Sequence, residues 1–357
     1  MTRMDISLVT LGDPGKQTGG YLYHRRMAEA APRFDAGVRF VSFPERRFPL
    51  PALHGASVVA AARAPPCDAL VIDSIAAALV APWLASRRLQ IPLVAVVHQH
   101  RGGIDHGPLR TAIQTVLDGV AYRRVSGFVA ASQSLVDALG ASGVARDKIV
   151  LVAPGKDVAE HSAEDAGDLR AGRTAAFLCV GNWVRRKGIV DLLDALARLP
   201  GGAATLHLVG DERSEPRYAR LVRARLNDPA LAGRVVSHGT VGKARLAALY
   251  AAADVFVLPS YKEPYGTVYG EAMAQGLPVV GWRAGNLPHL ARHEQHGLIV
   301  EPGDVQGLAL ALHRLALDQD LRCRLGKAAA RRADSFPTWD QSAALFFDSI
   351  REVVERP

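Results

Sequence analysis

The sequence predicts an α/β protein with two doubly wound, Rossmann-like domains, each a parallel sheet between layers of helices. Short apolar runs alternate with segments of helical periodicity from end to end, which is typical of strands buried on both faces. The alternation stops once, over residues 154–174, where the chain is polar and rich in Gly and Asp, as linkers are. A chain of 357 residues also exceeds one ordinary core and suits two domains.

The first half of the chain contains six predicted strands. They are Ile6–Leu11, Val38–Phe43, Ala69–Asp73, Leu93–Val97, Gly127–Ala131 and Ile149–Val152. Helical periodicity lies between several of them, with Ser132 or Ser134 as the candidate N-cap of the third segment. These helical segments are Tyr21–Ala31, Ile75–Arg87 and Ser134–Gly140.

The second half repeats the pattern with six more strands. They are Ala176–Val180, Thr205–Val209, Val235–Ser237, Val255–Leu258, Val279–Gly281 and Leu298–Val300. Helical segments fall at 189–199, 216–227, 243–253, 268–276, 304–317, 320–334 and 340–354. Doubly wound sheets bind ligands beyond the C-terminal ends of their strands, so functional residues are expected in those loops.

Composition indicates a globular protein of a reducing compartment. Hydrophobic residues make up 49% of the chain and charged residues 22%, an ordinary balance. The three cysteines show no C-x-x-C spacing, which argues against a disulfide framework or a structural zinc site. The N-terminal stretch lacks a signal-peptide core, and the most apolar stretch, Leu70–Ala85, is broken by Asp73 and Pro82. We therefore expect a cytoplasmic protein.

The net charge of +8 is spread along the chain. No basic run is interleaved with aromatic residues, so no nucleic-acid partner is expected. The excess favours an anionic small ligand or an anionic membrane surface, and a merely solvated basic surface is the alternative. Arg46, Arg47 and Phe48 precede an apolar helix, which suits peripheral contact with the inner face of the cell membrane; an ordinary surface loop is the alternative.

The first candidate loop is "VTLGDPGKQTGGY", a strand, a Gly-rich turn and a helix. Gly19 and Gly20 would let the backbone approach an anion at the helix N-terminus. The loop is neither a P-loop nor a dinucleotide fingerprint, because its glycine spacing fits neither and Lys16 is followed by Gln17. A purely structural turn is the alternative.

The second is "VVHQH", at the end of a buried strand. His98 and His100 are two residues apart and would point to the same side, as metal ligands do. No third ligand is evident beyond Asp105 or His106, so we prefer a donor-contacting role over a metal site. A structural histidine is the alternative for either residue.

The third and fourth loops carry charge. In "VGNWVRRKG", Arg185, Arg186 and Lys187 follow a strand and precede a helix, a position that suits a diphosphate. In "ADVFVLPSYKEPYGTVYGEAMAQGLPVV", residues 266–268 open a helix whose free N–H groups favour phosphate. Glu263 lies before that helix and Glu271 within it, where their carboxylates can accept hydrogen bonds from sugar and ribose hydroxyls.

This ordered series resembles glycosyltransferase family four, retaining transferases with the GT-B fold. That fold has two Rossmann-like domains, a cleft between them and a last helix that crosses back. The resemblance covers nearly the whole chain and rests on the Gly19–Gly20 loop, His98, "FVAASQSLVDAL", "IVLVAPGKDV", "VGNWVRRKG", the Glu263/Glu271 pair, "EAMAQGLPVV", "GLIVEPGD" and "FPTWDQSAALFFDSI". It implies an acceptor-binding domain over 1–155, a nucleotide-sugar-binding domain over 175–337, and a helix over 338–357 that packs on the first domain.

The resemblance also implies roles for individual residues. His98, beside the transferred sugar, Lys187, at the diphosphate, and Glu263, at the sugar hydroxyls, are the predicted catalytic residues. Glu271 would bind the ribose, and the backbone near Val241 would meet the base. The implied donor-binding residues are Gly19, Gly20, Asn182, Arg186, Lys187, Val241, Glu263, Gly266, Thr267, Val268 and Glu271.

Two positions depart from the family pattern. Asn182 stands where the family usually has an Arg just after the glycine of the phosphate loop. The usual Gly-Gly followed by Glu reads Gly285-Asn286 and then His289. The first departure leaves open which cation meets the phosphate, and the second leaves open how the donor sugar is surrounded.

The implied reaction moves a hexose from a nucleoside diphosphate sugar, a UDP-sugar before GDP-mannose, to an acceptor hydroxyl. The acceptor would belong to a cell-surface polysaccharide, a glycolipid or a small-molecule glycoside. No Asp-x-Asp lies in the four loops, in keeping with a site that needs no metal or other cofactor. Front-face displacement is the implied mechanism. The alternatives are a nucleotide-sugar epimerase of GT-B fold and a non-catalytic sugar-nucleotide-binding protein.

Overall fold

The computed structural model divides the chain into two compact units and describes residues 3–15, 19–86, 89–156 and 164–356. Unit 1 consists of Met1–Gly155 and Pro337–Pro357, and unit 2 of Lys156–Phe336. Residues 157–163 of the predicted linker lie outside the described residues, as do Lys16 and Gln17 of the first glycine-rich loop.

Unit 1 contains a six-stranded parallel sheet with strand order β2-β1-β3-β4-β5-β6. Its strands are β1 (Met4–Leu11), β2 (Ala36–Phe43), β3 (Ala69–Asp73), β4 (Leu93–Val97), β5 (Gly127–Ala130) and β6 (Ile149–Leu151). Each corresponds to a strand predicted from an apolar run. β3 and β4 are buried along their whole length, as central parallel strands covered on both faces must be.

Five helices connect these strands. They are α1 (Gly19–Ala30), α2 (Gly55–Arg63), α3 (Ser74–Ser86), α4 (Pro108–Tyr122) and α5 (Gln133–Ala141). The Ser132 side chain caps α5 by accepting a hydrogen bond from the Leu135 N–H at 3.3 Å, so Ser132, not Ser134, is the N-cap. Helix α4 was not among the predicted segments.

Unit 2 contains a second six-stranded parallel sheet, with strand order β12-β11-β10-β7-β8-β9. The strands are β7 (Ala175–Val180), β8 (Ala204–Val209), β9 (Val235–Ser237), β10 (Val255–Val257), β11 (Val279–Trp282) and β12 (Gly297–Val300). The helices are α6 (Ile189–Ala197), α7 (Pro216–Leu226), α8 (Lys243–Ala252), α9 (Thr267–Ala274), α10 (Leu287–Leu290), α11 (Val305–Leu317) and α12 (Gln319–Asp334).

After unit 2 the chain returns to unit 1 as α13 (Trp339–Glu355). Thr338 and Gln341 form a reciprocal capping box at its start. Phe346, Phe347 and Ile350 are fully buried in the same hydrophobic cluster as β1, β3 and β4. The crossing-back helix implied by the family resemblance is therefore present.

The most apolar stretch of the sequence, Leu70–Ala85, forms most of β3 and α3. Pro82 lies inside α3, and the side chains from Ala76 to Ala81 are buried. Among the residues that the structure describes, no helix is long and apolar enough to cross a bilayer.

Candidate functional site

The loop after β7 divides its three consecutive cations between two partners. The Arg185 N–H donates to Glu215 Oε2 at 2.9 Å, and its guanidinium lies 5.8 Å from the ring centre of Tyr218. Arg186 and Lys187 turn instead toward the loop that follows β10. Of the three predicted cations, only Arg186 and Lys187 therefore lie together, at the loop after β10.

Lys187 and Glu263 form the central ion pair of unit 2. The Lys187 Nζ donates to Glu263 Oε2 at 2.5 Å, and both side chains are nearly buried. Arg186 Nη1 lies 3.6 Å from the same oxygen and donates to the Lys262 carbonyl at 3.0 Å. Two cations thus face one carboxylate, which leaves an excess of one positive charge for an incoming anion.

Backbone contacts hold these two loops together. Gly188 has φ 66°, and a Cβ at this position would lie 2.1 Å from the Pro259 carbonyl oxygen, so only glycine fits. The Tyr261 N–H donates to the Arg186 carbonyl at 2.7 Å. The close approach of the backbones is what brings Lys187 to Glu263.

The N-terminus of α9 presents backbone N–H groups. Gly266, in the left-handed conformation with φ 77°, is the N-cap, and among the described residues no side chain caps the helix. Thr267 and Val268 form the first turn, where N–H groups have no partner within the helix. Such a terminus favours an anion. The structure therefore places helix N-terminal N–H groups at residues 266–268, and phosphate binding there stays a prediction.

Glu271 lies one turn into α9 and is held by a residue that the sequence analysis missed. The Tyr250 hydroxyl donates to Glu271 Oε2 at 3.0 Å. Burial and the nearby carboxylate raise the pKa of Tyr250 well above its ordinary value, so the phenol keeps its proton. Tyr250 belongs to the apolar pattern of α8, and nothing in its spacing distinguishes it from a core residue.

The Asn182 side chain makes a hydrogen bond within the protein. Its Oδ1 accepts a hydrogen bond from the Asp211 N–H at 3.0 Å, which ties the loop after β7 to the loop after β8. An arginine cannot accept this bond, because a guanidinium has no acceptor. The departure from the family pattern therefore gives this position a structural contact.

The second departure also has a structural function. Gly285 has φ 58° and packs against the Glu263 backbone, where a Cβ would come within 2.7 Å. The neighbouring Asn286 is buried; its N–H donates to the Glu263 carbonyl at 2.9 Å and its Nδ2 to the Tyr265 carbonyl at 2.8 Å. Asn286 thus fixes the loop that carries Glu263. His289 lies in α10, and its carbonyl accepts from Arg332.

Val241 is half-buried against the core of unit 2, directly before Gly242, the N-cap of α8. This places its backbone in the loop after β9, beyond the C-terminal end of a strand, as its predicted contact with the base requires.

In unit 1, the Gly19–Gly20 turn lies beside His98. A Cβ on Gly20 would be 3.6 Å from His98 Cδ2, and a Cβ on Gly19 would meet nothing within 4 Å. The turn thus brings the start of α1 to the end of β4. The predicted residues Gly20 and His98 come together here.

His98 belongs to a buried polar chain. His98 Nε2 lies 3.0 Å from His24 Nε2, and His24 Nε2 lies 2.9 Å from Asp73 Oδ2. Because both contacts use one nitrogen, a hydrogen on His24 Nε2 donates to Asp73, and His98 Nε2 is then the unprotonated nitrogen of its ring. His100 lines a cavity of about 280 Å³ with Arg101 and Tyr122.

Electrostatics keeps His98 neutral and Asp73 charged. Burial, followed by the nearby His24, lowers the pKa of His98 to about 3. Burial alone would raise the pKa of Asp73, but the charge and hydrogen bond of His24, the nearby His98 and the Ile75 N–H together lower that pKa to about 2. Thr10 also donates to Asp73 Oδ2, at 3.0 Å. A neutral imidazole can donate one hydrogen bond and accept another.

The same three side chains form the one group in the described part of the chain that suggests a metal site. Their potential ligand atoms lie within 4.8 Å of one another. Ligands at about 2.0–2.1 Å from a tetrahedral zinc ion lie roughly 3.3 Å apart. The contacts of 2.9 and 3.0 Å are instead ordinary hydrogen-bond distances, so we assign a hydrogen-bonded chain.

Comparison with protein families gives two matches in chain order. A family described as "Glycosyl transferase 4-like domain" matches residues 2–155, and one described as "Glycosyl transferases group 1" matches residues 174–318. A D-inositol 3-phosphate glycosyltransferase of Xylanimonas cellulosilytica is 31% identical over 299 residues, which cover 77% of this chain and 70% of that protein.

Two further relatives match over shorter stretches. The lipopolysaccharide core biosynthesis glycosyltransferase LpsE of Rhizobium meliloti is 37% identical over 42% of each chain. A GDP-mannose-dependent α-(1-6)-phosphatidylinositol monomannoside mannosyltransferase of Mycobacterium tuberculosis is 30% identical over 51% of this chain and 49% of that protein. Each of these matches spans less than half of the relative's own length.

Solved structures share the fold. A sucrose-phosphate synthase from Thermosynechococcus elongatus superposes with a TM-score of 0.84 at 23% identity, covering 98% of this chain and 99% of that chain. HepE of Anabaena, solved with UDP and glucose, gives a TM-score of 0.80 at 23% identity, covering 98% and 100%. The two parallel sheets, the family matches and the relatives agree: the chain belongs to glycosyltransferase family four and has the GT-B fold.

Proposed function

We infer that this glycosyltransferase moves a hexose from a nucleoside diphosphate sugar to an acceptor hydroxyl, with retention of anomeric configuration and without a metal. The observation that supports this most directly is the Lys187–Glu263 pair, joined by Arg186, on the loop that leads to the uncapped start of α9. Cations and free N–H groups suit the diphosphate, and the carboxylate suits sugar hydroxyls.

The pair suggests how the donor is bound. In the structure Glu263 neutralises Lys187 at 2.5 Å. A donor diphosphate would take over Lys187, which frees Glu263 to accept hydrogen bonds from the transferred sugar. The negative charge that develops on the leaving diphosphate is then met by Lys187, by Arg186 and by the amides at residues 266–268. Donors aimed at such developing charge contribute roughly 10²–10³ in turnover each.

Retention is proposed through front-face displacement. With the donor bound, Glu263 would accept hydrogen bonds from hydroxyls of the transferred sugar, and Glu271 is held by the Tyr250 hydroxyl, so neither carboxylate is set up as a nucleophile on the sugar. In this proposal the departing diphosphate helps to deprotonate the acceptor hydroxyl. His98, neutral and next to Gly20, would lie beside the transferred sugar.

Metal independence is part of the proposal. The one Asp-x-Asp of the sequence, Asp318 and Asp320, begins α12, where Asp318 caps the helix by accepting from the Leu321 N–H at 2.8 Å. This Asp-x-Asp therefore belongs to a helix cap. In the proposed site, Lys187 and Arg186 would supply the positive charge that a metal ion would otherwise bring to the diphosphate. Activity should persist in EDTA. Complete loss, restored by Mn²⁺ or Mg²⁺, would contradict this and would point to His24, Asp73 and His98 as ligands.

For the donor we propose a UDP-sugar, with GDP-mannose as the second candidate, since one of the relatives named above is GDP-mannose-dependent. For the acceptor we propose a hydroxyl of a glycolipid or cell-surface polysaccharide precursor, because named relatives act in lipopolysaccharide core synthesis and on a phosphatidylinositol mannoside. For the location we propose the reducing cytoplasm, which suits a chain whose three cysteines are all free.

The deciding experiment screens UDP-, GDP- and dTDP-sugars for thermal stabilisation of the protein, then assays the best donor with pools of lipid-linked and free sugars. We expect nucleotide release that depends on an acceptor, and NMR of the product should show the anomeric configuration of the donor. Conversion of the donor sugar without any acceptor would support an epimerase instead. Donor binding without turnover in any pool would support a non-catalytic binding protein.

A further inference from the structure

Helix α4 exposes apolar side chains to solvent and buries two polar ones. Its exposed residues are all apolar: Pro108, Leu109, Ala112, Ile113 and Val116. Leu109 and Val116 keep 76% and 66% of their surface in solvent. Gln114 and Asp118, by contrast, are only 3% and 2% exposed. A surface helix of a globular protein normally shows the opposite arrangement.

Polar contacts fix the helix in this orientation. Asp118 Oδ2 accepts from the Gly102 N–H at 2.9 Å, and Arg101 Nη2 donates to the Thr115 carbonyl at 2.9 Å. Turning α4 to bury its apolar side would break the Asp118 contact and expose a different face. Leu109, Ile113 and Val116, at spacings of four and three residues, therefore remain on one exposed stripe.

A neighbouring segment extends this stripe and adds charge. The Arg110 guanidinium carbon lies 5.1 Å from the ring centre of Phe48, so residues 46–53 lie beside the start of α4. In that segment Leu50, Leu53, Arg46 and Arg47 are exposed.

We call Leu50, Leu53, Leu109, Ile113 and Val116 the apolar face. It holds five of the twelve large hydrophobic side chains that are strongly exposed in the described residues. This concentration in two adjacent segments distinguishes the face from scattered surface leucines, which need no explanation.

We propose that the apolar face docks on an anionic lipid bilayer, with α4 lying in the plane of the interface. The apolar side chains would enter the boundary of the acyl chains while Arg46, Arg47 and Arg110 meet headgroup phosphates. Glu45 is the one acidic residue among positions 44–54, so the charge of the segment stays positive. A second copy docking with two-fold symmetry would bring the same arginines together, which disfavours a dimer.

The test measures binding of the full chain to vesicles by sedimentation, and it needs no glycosyl transfer. Wild-type protein should bind vesicles of equimolar phosphatidylcholine and phosphatidylglycerol, and bind phosphatidylcholine alone far more weakly. L109Q/I113Q/V116Q should lower the partition coefficient at least about tenfold. R46Q/R47Q should lower it roughly tenfold, and salt should weaken wild-type binding in the same direction.

The control is L310Q/L317Q, which changes two leucines of α11 that are 60% and 58% exposed outside the face. It should bind as wild type does. All of the substituted side chains are exposed, and thermal unfolding should verify that each variant is folded. The proposal is overturned if the wild-type protein does not bind the anionic vesicles or if the α4 variant binds them as well as wild type does. It is also overturned if the control variant loses as much vesicle binding as the α4 variant. A wild-type dimer that the α4 variant converts to monomer, with vesicle binding unchanged, would identify a self-association surface instead.

Discussion

Lys187 is the residue on which the donor proposal depends most. Lys187→Ala removes a charge from the developing leaving group, so turnover at saturating donor should fall roughly 10²–10³-fold. Arg186→Ala should cost less, because Arg186 also donates to the Lys262 carbonyl and lies farther from Glu263. Asn182→Ala should cost turnover least, since no charge is lost and its contact is with the Asp211 backbone. If Asn182→Ala proves the most damaging of the three, the amide has a direct role with the donor.

Glu271 and Tyr250 provide a second test at the residue scale. Glu271→Gln should weaken nucleoside diphosphate binding about tenfold or more, because an ionised acceptor for ribose hydroxyls becomes a neutral amide. Tyr250→Phe should weaken it by a smaller factor, since the carboxylate remains but loses the hydroxyl that holds it. Calorimetric titration with UDP and GDP measures both. Unchanged affinity in Glu271→Gln would remove this residue from the ribose site.

The sequence pointed to the residues that we propose act through charge, but not to the residues that hold them in place. Lys187, Glu263 and Glu271 stand out because charged side chains follow predicted strands. Asn286 and Tyr250 do not, because their importance depends on partners that are distant in the chain, the Glu263 loop and Glu271. The link from His98 to His24 and Asp73 was missed for the same reason, since these residues come from three separate segments.

At the scale of elements, Gly188 sets how closely the loop after β7 approaches the loop after β10. Gly188→Ala should lower turnover strongly, because its Cβ would overlap the Pro259 carbonyl and push the two loops apart. The separation should also break the Lys187–Glu263 contact and weaken nucleotide binding. Gly201→Ala is the matched control, since a Cβ there meets nothing within 4 Å. Equal activity in both variants would show that the close approach is dispensable.

All twelve strands were predicted because each is an apolar run between polar loops, and β3 and β4 are buried throughout. Helix α4 was missed. Leu109, Ile113 and Val116 do follow a helical spacing, but they face solvent, while Gln114 and Asp118 face inward. Periodicity identifies a stripe without telling which side is buried.

At the scale of the whole molecule, the buried polar chain predicts a loss of stability in acid. Between about pH 6.5 and pH 3 the unfolded chain protonates His98 and the folded chain does not, so the free energy of unfolding falls as pH falls. Asp73 adds to the loss from about pH 3.8 down to pH 2, because its folded pKa is the lower one. Each group contributes up to roughly 1.4 kcal/mol per pH unit.

Urea unfolding at about pH 7.5 and about pH 5 measures this effect through the change in midpoint. Wild type should lose stability over the interval, and His98→Gln should lose less, because the group that titrates there is gone. Asp73→Asn should be less stable at both values, since it removes the charge that His24 contacts. An equal acid loss in wild type and His98→Gln would contradict the assignment.

The return of α13 to unit 1 limits the order in which the two units can complete their folding during synthesis on the ribosome. Unit 2 is formed by one continuous segment of the chain, so it can fold as soon as Phe336 has left the exit tunnel. Unit 1 has to wait, because Phe346, Phe347 and Ile350 of its core are synthesised last. Burying each of these side chains contributes about 1.5–3 kcal/mol, and three of them approach the whole stability of a typical domain. The nascent N-terminal half can therefore complete its core only after every residue of unit 2 has been synthesised, and the apolar surface that α13 covers stays exposed until then.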